Sequence, residues 1–240
     1  MRQMLAICNR ELGSFFRLPV GWIIIALFVF ITGVVFALSA IEPGKVASMR
    51  GFFQLAGWLL LPVTPAISMR LISEELRSGT IEPLMTSPAS DLMVILGKFF
   101  AAVLFLVCML IPTLALAAVL FAISSPRPDT GPIVAGYLLL VLLGSLYLSI
   151  GLFVSTLTAN QTLAFLSTLF SIMLLLMLPA MQVSNMPPQI SSLIESLSIH
   201  TRASDFARGL IDASHITFFL SAAFFFLLCA WVSLQSRRWR

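Results

Sequence analysis

Six stretches of this 240-residue chain are long and apolar enough to cross a bilayer, and none of them contains a charged side chain. They cover residues 20–41, 52–69, 99–123, 132–156, 162–181 and 216–234. An α-helix rises about 1.5 Å per residue, so about 20 residues span the roughly 30 Å hydrocarbon layer. In lipid each backbone N–H and C=O must find its partner inside the chain, which leaves helices as the conformation for such runs. Composition agrees: with 59% hydrophobic and 10% charged residues and a mean hydropathy of +1.04, there is too little polar side chain to cover a water-facing surface. The expected fold class is an all-α polytopic membrane protein with six transmembrane helices, a single domain over residues 1–240.

The net charge of +4 does not point to nucleic acid, because the basic residues are scattered singly rather than gathered into a patch. They read as topology markers. With both termini on one side, that side holds Arg2, Arg10, Arg17, Arg70, Arg77, Lys98, Arg237, Arg238 and Arg240, against Lys45, Arg50, Arg127, Arg202 and Arg208 on the other. The excess of cations places both termini in the cytoplasm. A cleavable leader would carry an apolar core of about 7–15 residues; the run at 20–41 is longer and is expected to be retained as a span. Cys8, Cys108 and Cys229 lie far apart, with neither disulfide-framework nor zinc-ligand spacing.

Within 1–19, Leu5, Cys8, Leu12, Phe15 and Phe16 recur every three or four residues while Arg2, Asn9, Arg10 and Arg17 take other faces. This spacing suits an interfacial helix that turns into the membrane at Pro19; a plain topology anchor is the other reading. Residues 20–69 then hold the first two spans and 99–181 spans three to five. The outer segment 182–215 follows, and 216–240 contains the sixth span and a basic tail. After Pro187 and Pro188 the outer segment shows Ile190, Leu193, Ile194 and Leu197, then Ala203, Phe206, Ala207 and Leu210, a pattern for two short amphipathic helices. No internal repeat of three spans plus three is visible.

The segment 70–98 is the unusual one. Its core, SEELRSGTIEPLMTSPAS at 73–90, is far longer than the few residues most helix connections use. Helical spacing over Ile72 and Leu76, with Glu74 three residues before Arg77, ends at Gly79, a C-terminal cap. Thr80 can cap a second short helix, in which Pro83 falls in the tolerated first turn. Ser87–Pro88 and Asp91 open the helix of the third span. Leu84 and Met85, flanked by Glu82 and Thr86, form an apolar knob with polar edges that fits a groove on a partner protein.

Catalytic signatures are missing. No GxxxxGK[ST] phosphate loop occurs: at Gly97–Lys98 the first glycine is replaced by Leu92 and the hydroxyl residue by Phe99. There is no HExxH, and Ser145 has no histidine at its depth to activate it. The chain is therefore expected to be non-catalytic, with no cofactor of its own. An ion-coupled transporter would keep titratable groups at membrane depth, whereas all ten acids fall in loops or at interfaces. Gln54, Trp58 and Thr64 in the second span, and Asn160, Gln161, Ser167, Thr168 and Ser171 in and before the fifth, are candidates for a mildly polar substrate path. Met173, Met177 and Met181 add a stripe of soft side chains, which ordinary helix packing also explains.

The block ISEELRSGTIEPLMTSPASDLMVILGKFFAA at 72–102 resembles the cytoplasmic segment between the second and third spans of ABC-2 type transporter permeases. The end of the chain, RASDFARGLIDASHITFFLSAAFFFLLCAWVSLQSRRWR, is similar to the gliding-motility-type branch of that family, and the resemblance covers essentially the whole chain. It implies that 70–98 carries a coupling helix set against a separate nucleotide-binding subunit, with Glu74, Glu75, Arg77, Gly79, Thr80, Glu82 and Thr86 at the matching positions. It further implies an exporter in a bacterial inner membrane, with two permease chains, identical or paralogous, and two ATPase subunits that bind the ATP and Mg. The cargo, hydrophobic or amphipathic, would pass between the permease chains, with an auxiliary membrane or periplasmic protein beyond them. A non-transporting scaffold for an envelope or motility assembly is the alternative reading.

Overall fold

A computed structural model describes residues 2–40, 48–80, 90–124, 128–177, 198–207 and 209–236. Every regular element among them is helical: α1 (Arg2–Arg17), α2 (Pro19–Ala40), α3 (Arg50–Ser68), α4 (Ser73–Ser78), α5 (Asp91–Leu110), a 3-10 turn (Ile111–Thr113), α6 (Leu114–Ile123), α7 (Thr130–Leu157), α8 (Gln161–Met177), α9 (Ile199–Ala207) and α10 (Ala213–Ser236). Five membrane-spanning candidates result: Pro19–Leu38, Arg50–Ser78, Asp91–Ile123, Thr130–Leu157 and Ala213–Ser236. The fifth apolar run is represented by α8, whose 17 described residues fall short of the usual span, and 178–181 lie outside the described residues.

Helix α7 is the axis of the bundle. Of its most apolar stretch 83% is buried, against 22% in α2 and in α10, and α3, α5, α8, α9 and α10 all pack on it. Glycines admit these neighbours. A Cβ on Gly136 would stand 2.5 Å from the Phe53 ring, and one on Gly144 or Gly151 would strike Leu106 or the Ser68 hydroxyl. Small residues where helices cross let backbones approach closely, which is how dispersion contacts substitute for the hydrophobic effect in lipid. Asp129 caps the start of α7 by accepting from the Gly131 N–H at 3.0 Å.

Helix α1 forms as its spacing predicts and hands over to α2 at Pro19, the first position of a helix, where proline needs no donor. The corner is closed by the Trp22 indole, which donates to the Phe16 carbonyl at 2.9 Å. The apolar face of α1 is covered by α5: Phe15 stacks on Phe105 with centroids 4.8 Å apart, Cys8 is buried, and Leu12 and Phe16 pack on the core. Leu5 alone of the five predicted apolar positions is exposed.

The third span is longer than its apolar run and is broken. It starts at Asp91 because Ser90 caps it, accepting from Met93 N–H at 3.4 Å, and Pro112 forces a 3-10 turn before α6. The Thr113 hydroxyl at this break shares a 3.1 Å hydrogen bond with the Tyr137 phenol of α7. Of the two short helices expected outside, the second is α9, which seats Ile199 and Phe206 in the core. The first, around Ile190–Leu197 in sequence, lies outside the described residues.

Candidate functional site: the elbow at the basic end

One end of the bundle gathers α1, the end of α3, α4, the start of α5 and the ends of α7 and α10. It is the end that carries Arg2, Arg10, Arg17, Arg70, Arg77 and Lys98. Here the chain leaves α3, makes a turn at 69–72, and enters the short helix α4.

Three devices hold α4 in place. At its start the backbone N–H groups of Ile72 and Ser73 both donate to the Ser155 hydroxyl of α7, at 3.1 and 2.9 Å. Ser155 thus serves as a cap supplied from another helix, satisfying donors that a helix start leaves open. Ile72 and Leu71 beside it are buried. At its end Gly79 adopts φ 70°, the left-handed conformation that a side chain disfavours, and so terminates the helix as the sequence suggests. The third device is electrostatic. The Lys98 ammonium of α5, 1% exposed, donates to Glu75 Oε1 of α4 at 2.8 Å and to Glu11 Oε1 of α1 at 3.0 Å. Arg10 closes the group from the surface, 3.1 Å from Glu11 and 3.4 Å from Glu75.

The predicted docking positions therefore divide. Glu74, Arg77, Gly79 and Thr80 are exposed, with the Ser78 hydroxyl bonded to the Glu74 carbonyl and to the Thr80 hydroxyl, both at 2.9 Å. Glu75 instead turns inward to Lys98. Glu82, Leu84, Met85 and Thr86 lie outside the described residues. Sequence reading missed Ser155, Glu11 and Lys98 as parts of the site. A charged residue at the edge of an apolar run was the one available signal, and it pointed to topology rather than to a partner.

The candidate path residues are similarly divided. Gln54 and Trp58 sit one turn apart on the exposed face of α3, whereas Thr64 is fully buried and its hydroxyl donates to the Leu60 carbonyl of its own helix at 2.7 Å. Ser167, Ser171 and Met173 line an open groove along α8 with Leu166, Leu169 and Phe170; Met177 is exposed near its end. The Ser171 hydroxyl is spent on the Ser167 carbonyl at 2.7 Å, so the groove presents a largely apolar wall. Thr168 is buried and likewise bonds within its helix. Asn160 caps α8, its side-chain oxygen accepting from the Thr162 N–H at 3.0 Å; Met181 lies outside the described residues.

At the opposite end, α9 and α10 meet at Gly209, which has φ 83°. Arg202 donates to His215 Nδ1 at 2.9 Å and lies 4.0 Å over the Phe218 ring, and His215 Nε2 faces Asp205 at 3.2 Å. A guanidinium only donates, so Nδ1 is the acceptor and Nε2 carries the proton. Burial lowers the Arg202 pKa from its ordinary value, and Asp212 opposes that shift. Asp212 starts α10, and its carboxyl is held below the usual range chiefly by the Ser214 backbone N–H, at 2.9 Å. Among the described residues no three His, Cys, Asp or Glu side chains gather as a metal site would require.

Comparison with known proteins agrees with this architecture. A family model described as ABC-2 family transporter protein matches residues 5–234. No curated protein matches the chain with significance.

Proposed function

Because the chain belongs to the ABC-2 transporter family, we propose that it is the permease subunit of an exporter, driven by ATP hydrolysis in a separate nucleotide-binding subunit that docks on α4. The observation that carries this reading is the construction of α4. A six-residue helix would not persist alone, since isolated helices below about 12 residues are marginal in water. This one is capped by Ser155, stopped by Gly79 and tied to Lys98, yet its Glu74, Arg77 and Thr80 side are exposed. A short helix fixed to the bundle with an open polar face suits docking to a partner, and its attachments lead directly into the spans.

In this reading both termini and α4 face the cytoplasm of a bacterial inner membrane, as the basic end favours. Two permease chains, identical or paralogous, pair with two ATPase subunits, which hold ATP and Mg. Glu82, Leu84, Met85 and Thr86 continue the docking surface beyond Thr80. The cargo is hydrophobic or amphipathic, as the apolar α8 groove and the exposed Gln54 and Trp58 of α3 favour, and an auxiliary membrane or periplasmic protein receives it. The C-terminal block supports placement in the gliding-motility-type branch. Reversing one exposed charge on α4, Arg77→Glu, tests the docking role: membrane insertion should persist while ATPase stimulation by the permease falls. Undiminished stimulation in Arg77→Glu and in Glu82→Lys would remove the assignment.

A further inference from the structure

Arg10, Glu11, Glu75 and Lys98 form a charge-balanced quartet, two cations and two carboxylates from three helices, about two turns into α5. Its centre is Lys98, buried to 1% exposure. An ammonium enclosed this way is tolerated only when opposite charge is in place, because its lost hydration costs several kcal/mol. Both carboxylates that supply the charge arrive from helices other than α5, Glu11 on α1 and Glu75 on α4, and each presents its Oε1 to the same ammonium at 3.0 and 2.8 Å. Moving either helix away strips a buried cation of half its compensation. The two are thereby linked to one another through Lys98, although α1 and α4 belong to separate parts of the sequence.

The packing beside the quartet has the same consequence. A Cβ on Gly97 would stand 3.0 Å from both the Met4 carbonyl and Ile7 Cγ2, so α1 lies against the α5 backbone one residue from the ammonium. On the far side Ser155 fastens α4 to α7. We propose that Lys98 is a positioning residue that makes α1 and α4 move as one body and passes their displacement into the third span. This rests on the reading of α4 as the contact for the ATPase subunit. A push on α4 is then felt by the whole inner end of the molecule and not by a loop alone, because packed and paired elements shift as discrete units.

Replacing the buried charges together avoids leaving one unpaired, so Lys98→Met with Glu11→Gln and Glu75→Gln should still fold, as buried ion pairs exchanged for neutral groups commonly do. Spin labels at the exposed positions Ser14 and Ser78, with Cys8, Cys108 and Cys229 replaced by alanine, report the distance between α1 and α4 in nanodiscs. Measured on the permease alone, the otherwise unsubstituted protein should give one narrow distance; ATPase binding and hydrolysis are assayed on unlabelled protein, because Ser78 lies on the docking helix. The triple variant should broaden that distance. It should bind the ATPase subunit in normal yield but stimulate hydrolysis at least about fivefold less, within the span of ordinary coupling energies. A narrow distance or intact stimulation in the triple variant overturns the role of Lys98 and leaves α4 docking untouched. If the unsubstituted permease neither binds nor stimulates an ATPase subunit, the docking reading fails and the transmission step with it, while the spin-label distance still shows whether Lys98 joins the two helices.

Discussion

The Lys98 ammonium stands 2.8 Å from the Glu75 carboxylate, while Glu74, the adjacent residue, points to solvent. Two neighbouring acids thus differ in their surroundings because a helix turns successive side chains about 100° apart. Glu75→Ala, which leaves Lys98 with one carboxylate, should destabilise the protein by about 3 kcal/mol, the lower end for breaking a buried pair. Glu74→Ala should stay within about 0.5 kcal/mol, as exposed substitutions do. Thermal unfolding of both variants in one detergent checks the contrast; equal losses would mean the quartet contributes nothing.

Ser155→Ala removes the oxygen on which the Ile72 and Ser73 N–H groups converge. Buried donors without an acceptor cost about 1–3 kcal/mol each. The expected result is faster amide exchange at 72 and 73 and a lowered unfolding temperature, with the spans still inserted. Unchanged exchange at both amides would show that Ser155 is no cap.

Gly79 has open space where a Cβ would go, so its requirement is purely conformational. At φ 70° the change Gly79→Ala should cost about 1 kcal/mol, and Gly79→Asn less, since asparagine tolerates the left-handed region. Circular dichroism melts of the two variants distinguish this from a steric cause, for which asparagine would be the worse.

Gly151 is the opposite case, because its added Cβ would meet the Ser68 hydroxyl and the Thr168 methyl. Gly151→Ala should therefore separate α3 from α7 and lower stability by about 1–3 kcal/mol, the usual range for overpacking. Adding Ser68→Gly should recover part of the loss. An additive double variant would place the strain elsewhere.

The α10 cap should respond to acid. Asp212 is depressed by the Ser214 N–H, so the folded state binds its proton less readily than the unfolded chain does. Its contribution is fully present above the ordinary aspartate value of about 3.9 and is lost as pH falls through the lower folded value. Amide exchange at Ser214 should accelerate across that interval, and Asp212→Asn should abolish the pH dependence. A pH-independent Ser214 amide in the unsubstituted protein would contradict the cap.

Local chemistry made much of this protein readable in one dimension. Runs of apolar residues near the thickness of a bilayer mark spans whatever surrounds them. The corner at Pro19, the stop at Gly79 and the acidic start at Asp91 follow from backbone restrictions carried by single residues. Even the pause at 70–98 stands out, because polar caps between two spans have no reason to exist in lipid.

Tertiary structure decided what those elements do to one another. That α7 is the axis was not legible, since lipid and protein accept the same apolar side chains and a buried span looks like a lipid-facing one. Thr64 and Trp58 were equivalent candidates until packing buried the first and exposed the second. Glu75 finds its counter-ions 23 residues away at Lys98, and Ser155 caps α4 across 82 residues. Electrostatic and hydrogen-bond partners are chosen by distance in space, which spacing along the chain does not encode once the segments between them fold back.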